Sequence, residues 1–340
     1  MLLLELTSTV CCGLVESNGL NLTPSITLRS HYFCKDMLYH TTSYHFPDHP
    51  QDSIITYNNQ QVRKSHLQRK CVQYQADITK ELVSLKHGWK SKFGNIPWTS
   101  GKGNYPDFYV DEKHKLLYCG VPKAASTTMK TLFIKSGDNP QNSSDVHSKQ
   151  VLQNAGIKMF HLYPDHQQKE MIRSYTKLII VRNPLARLTS AYQMFTKAGE
   201  YLYKIQRYKA LLHPKNSSAR LTLSDFVTIS LEDVTDRNNE HWLPYSLTCN
   251  PCQIQYDFIL KQETLKSDLK LLEPFFSKQS LDSLHVLNSF ASSSNSHLPG
   301  LTPLKRQRLQ RRYLFDCELF GYKLMLPLKS RDSKNLQHDG

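Results

Sequence analysis

Long apolar runs are the first thing this chain lacks. A helix that crosses a bilayer needs about 20 consecutive apolar residues, and nowhere do the 340 residues supply them. The nearest approach, "MLLLELTSTVCCGLV" at residues 1–15, is too short and is broken by Glu5. It reads either as a poor signal peptide or as the remnant of an anchor. Acids are scarce too: Asp+Glu of 29 against Lys+Arg of 43 leaves a net charge of +14. No carboxylate cluster of the kind that holds a metal stands out. The excess of base implies an anionic partner (nucleic acid, membrane, a phosphorylated cofactor or an acidic polymer), unless it serves only solubility. Glycine is missing where a phosphate loop would need it. The pattern G-x-x-x-x-G-K-[ST] is absent, which disfavours an ordinary ATPase or nucleotide kinase. No nucleic-acid recognition motif accompanies the charge either.

What is present is enough for a core. Hydrophobic residues make up 39% and aromatics 10% of a length that suits one large α/β domain or two small ones. Eight cysteines, with Asn-X-Ser/Thr sequons at Asn21, Asn142 and Asn216, lean towards the secretory pathway.

Residues 1–60 are rich in Ser, Thr, His, Asn and Tyr without periodicity and read as a poorly ordered stem. Val62, Leu67, Cys71, Tyr74 and Ile78 fall at helical spacing and predict a helix over 62–85. Residues 86–110 read as a loop, 116–121 as a short strand and 126–135 as a helix. A polar insertion covers 136–150, and 177–195 is a second strand–turn–helix unit. Its run Leu178–Val181 is of the buried parallel kind. Residues 196–220 read as a basic loop. Thr222 or Ser224 is a possible cap for a short helix. Residues 256–276 read as strand, turn and amphipathic helix, 289–303 as a mobile loop, and 302–322 as a basic helix followed by an apolar turn.

Two stretches carry chemistry. In "YCGVPKAASTTMKTLF", residues 118–133, a strand meets a helix through a tight turn. Helix N-termini offer unpaired N–H groups and partial positive charge. Lys123 adds a full charge, Ala124 and Ala125 allow close backbone approach, and Ser126, Thr127 and Thr128 supply hydroxyls. In "KLIIVRNPLARLTSAYQMF", residues 177–195, a buried strand delivers Arg182 at its carboxyl end, where open α/β sheets bind ligands. Arg182 can fork onto a phosphate and Ser190 can add a donor, with Arg187 either a second ligand or a surface charge. Each unit alone is also compatible with a capped helix or an ion pair. Together they suit a ligand with phosphate groups at both ends.

That combination resembles the Golgi carbohydrate sulfotransferases, in the branch of the chondroitin and dermatan 4-O-sulfotransferases. The family's P-K-x-x-x-[ST]-x-x-K is matched by "PKAASTTMK" and its V-R-[DE]-P-x-x-R-L-x-S-A-Y by "VRNPLARLTSAY". The likeness continues through "NEHWLPYSLTCNPCQIQYDFILKQETLKSDLKLL" to "YLFDCELFGY", spanning residues 62–322. It implies an α/β fold, a single domain with a central parallel sheet flanked by helices, similar to P-loop kinases. That domain would occupy 61–328, between the stem and a disordered tail at 329–340. The implied donor is 3′-phosphoadenosine-5′-phosphosulfate, with no metal. Pro122, Lys123, Ala124, Ala125, Ser126, Thr127 and Thr128 would hold its 5′-phosphosulfate. Arg182, Asn183, Pro184, Leu185, Ala186, Arg187, Leu188, Thr189 and Ser190 would form its 3′-phosphate segment. The implied partner is an anionic glycosaminoglycan or related glycan in the Golgi lumen, sulfated at position 4 of N-acetylgalactosamine. Basic stretches at 61–70, 204–220 and 305–312 are candidate tracks for it. The family's N-terminal membrane anchor is not evident in residues 1–15. Asn183 stands where the family has an acid, and Cys317, a buried free thiol by this reading, where it has an aromatic.

Sulfuryl transfer, like phosphoryl transfer, depends on position and charge. Lys123 is the candidate to stabilise the leaving phosphate oxygen. "NEHW" offers His241 or Glu240 as the base that takes the acceptor's proton, and Trp242 either stacks on a sugar or fills core. Cys249 and Cys252 form a lone CxxC with neither the ligands of a zinc site nor the strand-then-helix setting of a redox pair. A structural disulfide role remains, with partners open and Cys71 and Cys119 available. A catalytically inactive glycosaminoglycan-binding protein of the same fold is the alternative to an enzyme.

Overall fold

Three short apolar runs set the frame. In the computed structural model, β2 (Leu116–Cys119), β4 (Thr176–Val181) and β5 (Phe258–Lys261) lie side by side and parallel. Leu116 is opposite Thr176, and Leu178 opposite Phe258. The three strands are almost wholly buried, as expected for a parallel core covered on both faces. The structure describes residues 51–88, 106, 108–137, 145–197, 202–212, 221–231, 239–284 and 300–323. The three sequons, residues 1–50, most of 289–303 and the tail from 329 lie outside these described residues.

The sheet is mixed rather than purely parallel. β1 (Tyr109–Asp111) and β3 (Ile157–Met159) extend it in the order β3-β1-β2-β4-β5, with β1 antiparallel to both its neighbours. The physical reason is the connection. Only residues 112–115 link β1 to β2, and a parallel pair needs a crossover of a dozen or more. β1 also begins inside the stretch expected as a loop.

Helices follow the parallel strands at the expected places. α2 (Ser126–Ser136) follows β2, and α5 (Pro184–Lys197) follows β4. Proline opens α5, where its missing N–H is harmless. Between them lie α3 (Lys149–Asn154) and α4 (Asp165–Ser174). The expected basic loop after 196 contains α6 (Leu202–Leu212). α7 (Leu223–Leu231) is capped by Thr222, whose Oγ1 accepts from Asp225 N–H at 3.1 Å while Asp225 Oδ2 accepts from Thr222 N–H at 2.9 Å.

Beyond β5 the expected single helix is broken into a 3-10 turn (Gln262–Thr264), α9 (Leu265–Asp268) and a second 3-10 turn (Leu269–Leu272). Buried Asp268 draws the chain back by accepting from Lys261 N–H at 2.8 Å and Thr264 Oγ1 at 2.9 Å. α8 (Tyr245–Thr248) precedes β5 and α10 (Lys278–Asp282) follows it. The expected terminal helix and turn are two helices, α11 (Pro303–Arg312) and α12 (Leu314–Phe320), the latter closed by Gly321 at φ 65°.

α1 (Gln51–Gly88) is longer than its apolar spacing predicts and begins ten residues inside the segment read as stem. It covers the free edge of β5. Gln60 Nε2 donates to Asp257 O at 3.2 Å, and Arg63 Nη1 to Ile259 O at 3.0 Å. Arg63 also pairs with Asp268 at 2.6 Å and Lys70 with Glu318 at 2.6 Å. Two charges of the presumed 61–70 track are therefore engaged in holding α1. The CxxC pairs across the fold: Cys71 with Cys252, and Cys119 with Cys249. Cys317 is a buried free thiol whose pKa burial pushes up to about 12. Among the described residues no helix is long and apolar enough to cross a membrane.

Candidate anion-binding site

Because β2 and β4 are parallel neighbours, their carboxyl ends open at the same edge of the sheet. The turn Val121–Ala125 leaves β2 there. Its tightness comes from two left-handed residues, Lys123 at φ 67° and Ala125 at φ 57°. Non-glycine residues are strained in that region by roughly 1–2 kcal/mol each, so a lysine and an alanine here adopt backbone that glycine more often supplies. Glycine is required one step earlier: a Cβ on Gly120 would lie 2.5 Å from the ring of Tyr109. Ala124 and Ser126 turn inward, while Thr127 is exposed and Thr128 partly so. The N-terminus of α2 has no side-chain cap and no acid in its first turn. Its dipole end is thereby left for an anion.

Arg182 leaves β4 beside this turn and is 7% exposed. Its Nη1 donates to Lys123 O at 3.2 Å, and its N–H donates to Tyr245 Oη at 3.0 Å. Lys123 Nζ rests 3.5 Å from Met194 Sδ on α5. Neither cation has a carboxylate within ion-pair distance among the described residues. Burial, then the neighbouring Arg182, holds the Lys123 ammonium below its usual pKa. Burial likewise lowers that of Arg182. Two desolvated cations facing an uncapped helix end form an anion cradle. Lys261, at the end of β5, is a third cation at this edge. Burial lowers its pKa, and it sits 4.5 Å from the ring centroid of Tyr322.

The segment 239–246 packs on the other side of α5. Asn239 Oδ1 accepts from both His241 N–H at 3.0 Å and His241 Nδ1 at 2.8 Å. The shared backbone donor identifies that atom as the oxygen, so Nδ1 carries a proton and donates to it. Glu240 Oε1 lies 3.8 Å from His241 Nδ1. The His241 ring meets Phe195 edge-on at 5.4 Å, and Phe195 neighbours the Met194 that Lys123 touches. One turn of α5 thus supports both the lysine and the histidine. Trp242 is 0% exposed among Phe195 and Phe226, which decides for core over sugar stacking.

Residues 106–323 match the profile described as "Sulfotransferase family". The chain belongs to that family. It is 31% identical over 251 residues to carbohydrate sulfotransferase 12 of Xenopus laevis, covering 63% of this chain and 59% of that one. With carbohydrate sulfotransferase 14 of Homo sapiens it shares 27% over 236 residues, 63% of this chain and 60% of the relative. With carbohydrate sulfotransferase 11 of Rattus norvegicus it shares 31% over 174 residues, 47% and 49% of the two chains. The chain spans about 60% of the length of the first two of these relatives. No solved structure matches it.

The side chains of residues 183–190 divide by direction. Asn183 Oδ1 caps α5, accepting from Leu185 N–H at 3.0 Å and Ala186 N–H at 3.1 Å, so the amide does an acid's capping work. Leu185, Ala186 and Leu188 turn their side chains into the core, and Pro184 is buried. Thr189 Oγ1 donates to Ala186 O at 3.0 Å, and Ser190 is half-buried. Arg187 is neither a surface charge nor a neighbour of the cradle's open face. It is 1% exposed, and its Nη2 donates to Glu240 O at 3.2 Å and to Leu243 O.

Several residues in the quoted motifs have roles that sequence reasoning missed. Glu263 Oε1 accepts from Asn183 N–H at 2.8 Å and its Oε2 from Tyr322 Oη at 2.9 Å, joining the ends of β4 and β5 to the chain beyond α12. Tyr313 Oη donates to Trp242 O at 2.6 Å. Asp316 accepts from Tyr245 N–H at 2.7 Å and Ser246 N–H at 2.9 Å. A buried acid and tyrosine at fixed spacing near the C-terminus were the available signal. Lys130, the second lysine of the first motif, is buried with its ammonium 5.0 Å from the Tyr109 ring centroid and 3.4 Å from His147 Nδ1. No group of three or more His, Cys, Asp or Glu able to hold a metal occurs among the described residues.

Proposed function

We propose that the protein transfers a sulfuryl group from 3′-phosphoadenosine-5′-phosphosulfate to a glycan hydroxyl. The observation that carries this reading is the cradle. Lys123 and Arg182 share a hydrogen bond beside an uncapped helix N-terminus, with no carboxylate in ion-pair reach among the described residues. The residues present fit such a donor, which has anionic groups at two ends. Lys123 and the N–H groups of residues 126–128 bind the 5′-phosphosulfate, and Arg182 with Ser190 the 3′-phosphate. The donor supplies the sulfuryl group, and adenosine 3′,5′-bisphosphate leaves. Lys123 meets the charge that builds on the leaving oxygen. His241 Nε2 takes the proton of the acceptor hydroxyl, in a ring whose other nitrogen is held by Asn239. Glu240 is the competing base.

The acceptor is a chondroitin- or dermatan-like glycosaminoglycan, sulfated at position 4 of N-acetylgalactosamine in the Golgi lumen. The net charge of +14 supports a polyanionic acceptor. Arg308 and Arg311 on the exposed side of α11 suit a track for it. Incubation with radiolabelled donor and a panel of desulfated polysaccharides tests the proposal. Donor-dependent label in one polysaccharide supports it, and disaccharide analysis then identifies the hydroxyl. Binding of polysaccharide without transfer would replace the enzyme by a glycan-binding protein.

A further inference from the structure

Arg187 is an odd choice for a buried position. Its Nη2 donates to two carbonyls of one segment, Glu240 O and Leu243 O, while its Nε and Nη1 have no partner. Its guanidinium lies 4.6 Å from the Tyr245 ring centroid. The buried Asp316 carboxylate is close enough to feel its charge, but with most of its donors idle its hydrogen bonds alone do little to offset desolvation. The two carbonyls it does hold flank His241 and Trp242 in the chain. The neighbouring backbone groups are held in the same way, Trp242 O by Tyr313 and the N–H groups of Tyr245 and Ser246 by Asp316. Tyr245 in turn accepts from Arg182 N–H through its hydroxyl. One guanidinium therefore touches the segment that carries the candidate base and the ring that meets the cradle.

We propose that Arg187 is a positioning residue, which sets the His241 segment against the donor cradle and binds no donor itself. The inference rests on the sulfotransferase reading for its catalytic consequence and on geometry alone for its structural one. Both bonds leave one planar nitrogen, Nη2, whose two N–H groups lie in the guanidinium plane, and a tetrahedral ammonium on a shorter reach does not reproduce that direction. Loss of these two bonds lets residues 240–243 relax, and His241 Nδ1 then loses its fixed relation to Asn239.

The test uses the full chain with Arg187→Met and Arg187→Lys. Four quantities are read: thermal unfolding, affinity for adenosine 3′,5′-bisphosphate by calorimetry, turnover, and the His241 tautomer by nitrogen NMR. The expected result is a folded Arg187→Met protein with bisphosphate affinity within about twofold of wild type, since small changes away from the ligand leave binding intact. Its turnover falls on the order of 10²-fold, the cost of a misplacement of about 1 Å. The His241 signals depart from the single Nδ1-protonated form. Arg187→Lys recovers part of the turnover. A Met variant with wild-type turnover and tautomer overturns the proposal. Bisphosphate affinity that falls in step with turnover overturns it too, by making Arg187 a donor ligand. Unfolding of both variants would assign Arg187 to the support of the whole fold instead. A wild-type protein without transfer activity would sink the sulfotransferase reading, and the tautomer comparison would still decide the positioning role.

Discussion

Replacing Lys123 by alanine should separate function from stability. In the folded protein this ammonium has no carboxylate partner among the described residues, is partly buried, and stands beside Arg182. Its pKa is lowered from 10.5 by burial first and by Arg182 second. A lysine whose folded pKa lies below its unfolded one leaves the unfolded chain holding more protons between the two values. Its charge therefore opposes folding at neutral pH, and the opposition is lifted only as pH rises towards 10.5. Lys123→Ala removes that charge and keeps the Cβ that the turn already accommodates. Urea unfolding at neutral pH should show a change within about 0.5 kcal/mol, or a gain. Donor-dependent turnover should fall by about 10²–10³-fold, or about 2.7–4 kcal/mol of barrier, as for the loss of one oxyanion donor. Wild-type affinity for adenosine 3′,5′-bisphosphate should weaken on the alkaline side, starting below the usual lysine range, because only the protonated ammonium attracts the anion. Lys123→Ala should lose that limb. Near-normal turnover, or destabilisation well beyond 1 kcal/mol, would refute the reasoning.

Arg182→Lys keeps the charge and loses the fork; calorimetry should show weaker binding of adenosine 3′,5′-bisphosphate with little change for adenosine 5′-phosphate, and equal losses for both would place Arg182 elsewhere. His241→Ala should lower turnover by roughly 10²–10⁴-fold with donor affinity nearly intact; a larger loss in Glu240→Gln would transfer the role to the glutamate. The double variant Cys71→Ser with Cys252→Ser removes a crosslink between residues 181 apart. It should cost roughly 2–5 kcal/mol by urea unfolding; an unchanged midpoint would show that the Arg63 and Lys70 ion pairs suffice to hold α1.

The cradle was legible because its parts are local. A buried apolar run, a turn with one cation and a helix start occupy under twenty consecutive residues in each unit, and local spacing alone sets which way the helix N-terminus points. The thiol at Cys317 was legible through the family resemblance, since it stands where the family has an aromatic, and the structural use of the CxxC through the oxidising setting that the cysteines and sequons imply. β1 and β3 were not legible, since three residues carry too little periodicity to register. The helix α6 was hidden by its two lysines and one arginine, and the start of α1 by a stretch without apolar periodicity.

What the sequence determined by itself is the chemistry on offer: the α/β units, the excess of positive charge, and the order of Lys123, Arg182 and the "NEHW" segment along the chain. Tertiary structure decided what those groups face. Arg182 and Arg187 are five residues apart in one motif and look alike there. The strand end leaves the first beside the cradle, while the helix turns the second inward to two carbonyls more than fifty residues away. The disulfide partners, the core role of Trp242 and the cover over β5 were settled in the same way. Side-chain type and spacing are properties of a short segment, but burial and pairing depend on which distant segments pack against it, and only the folded chain brings those together.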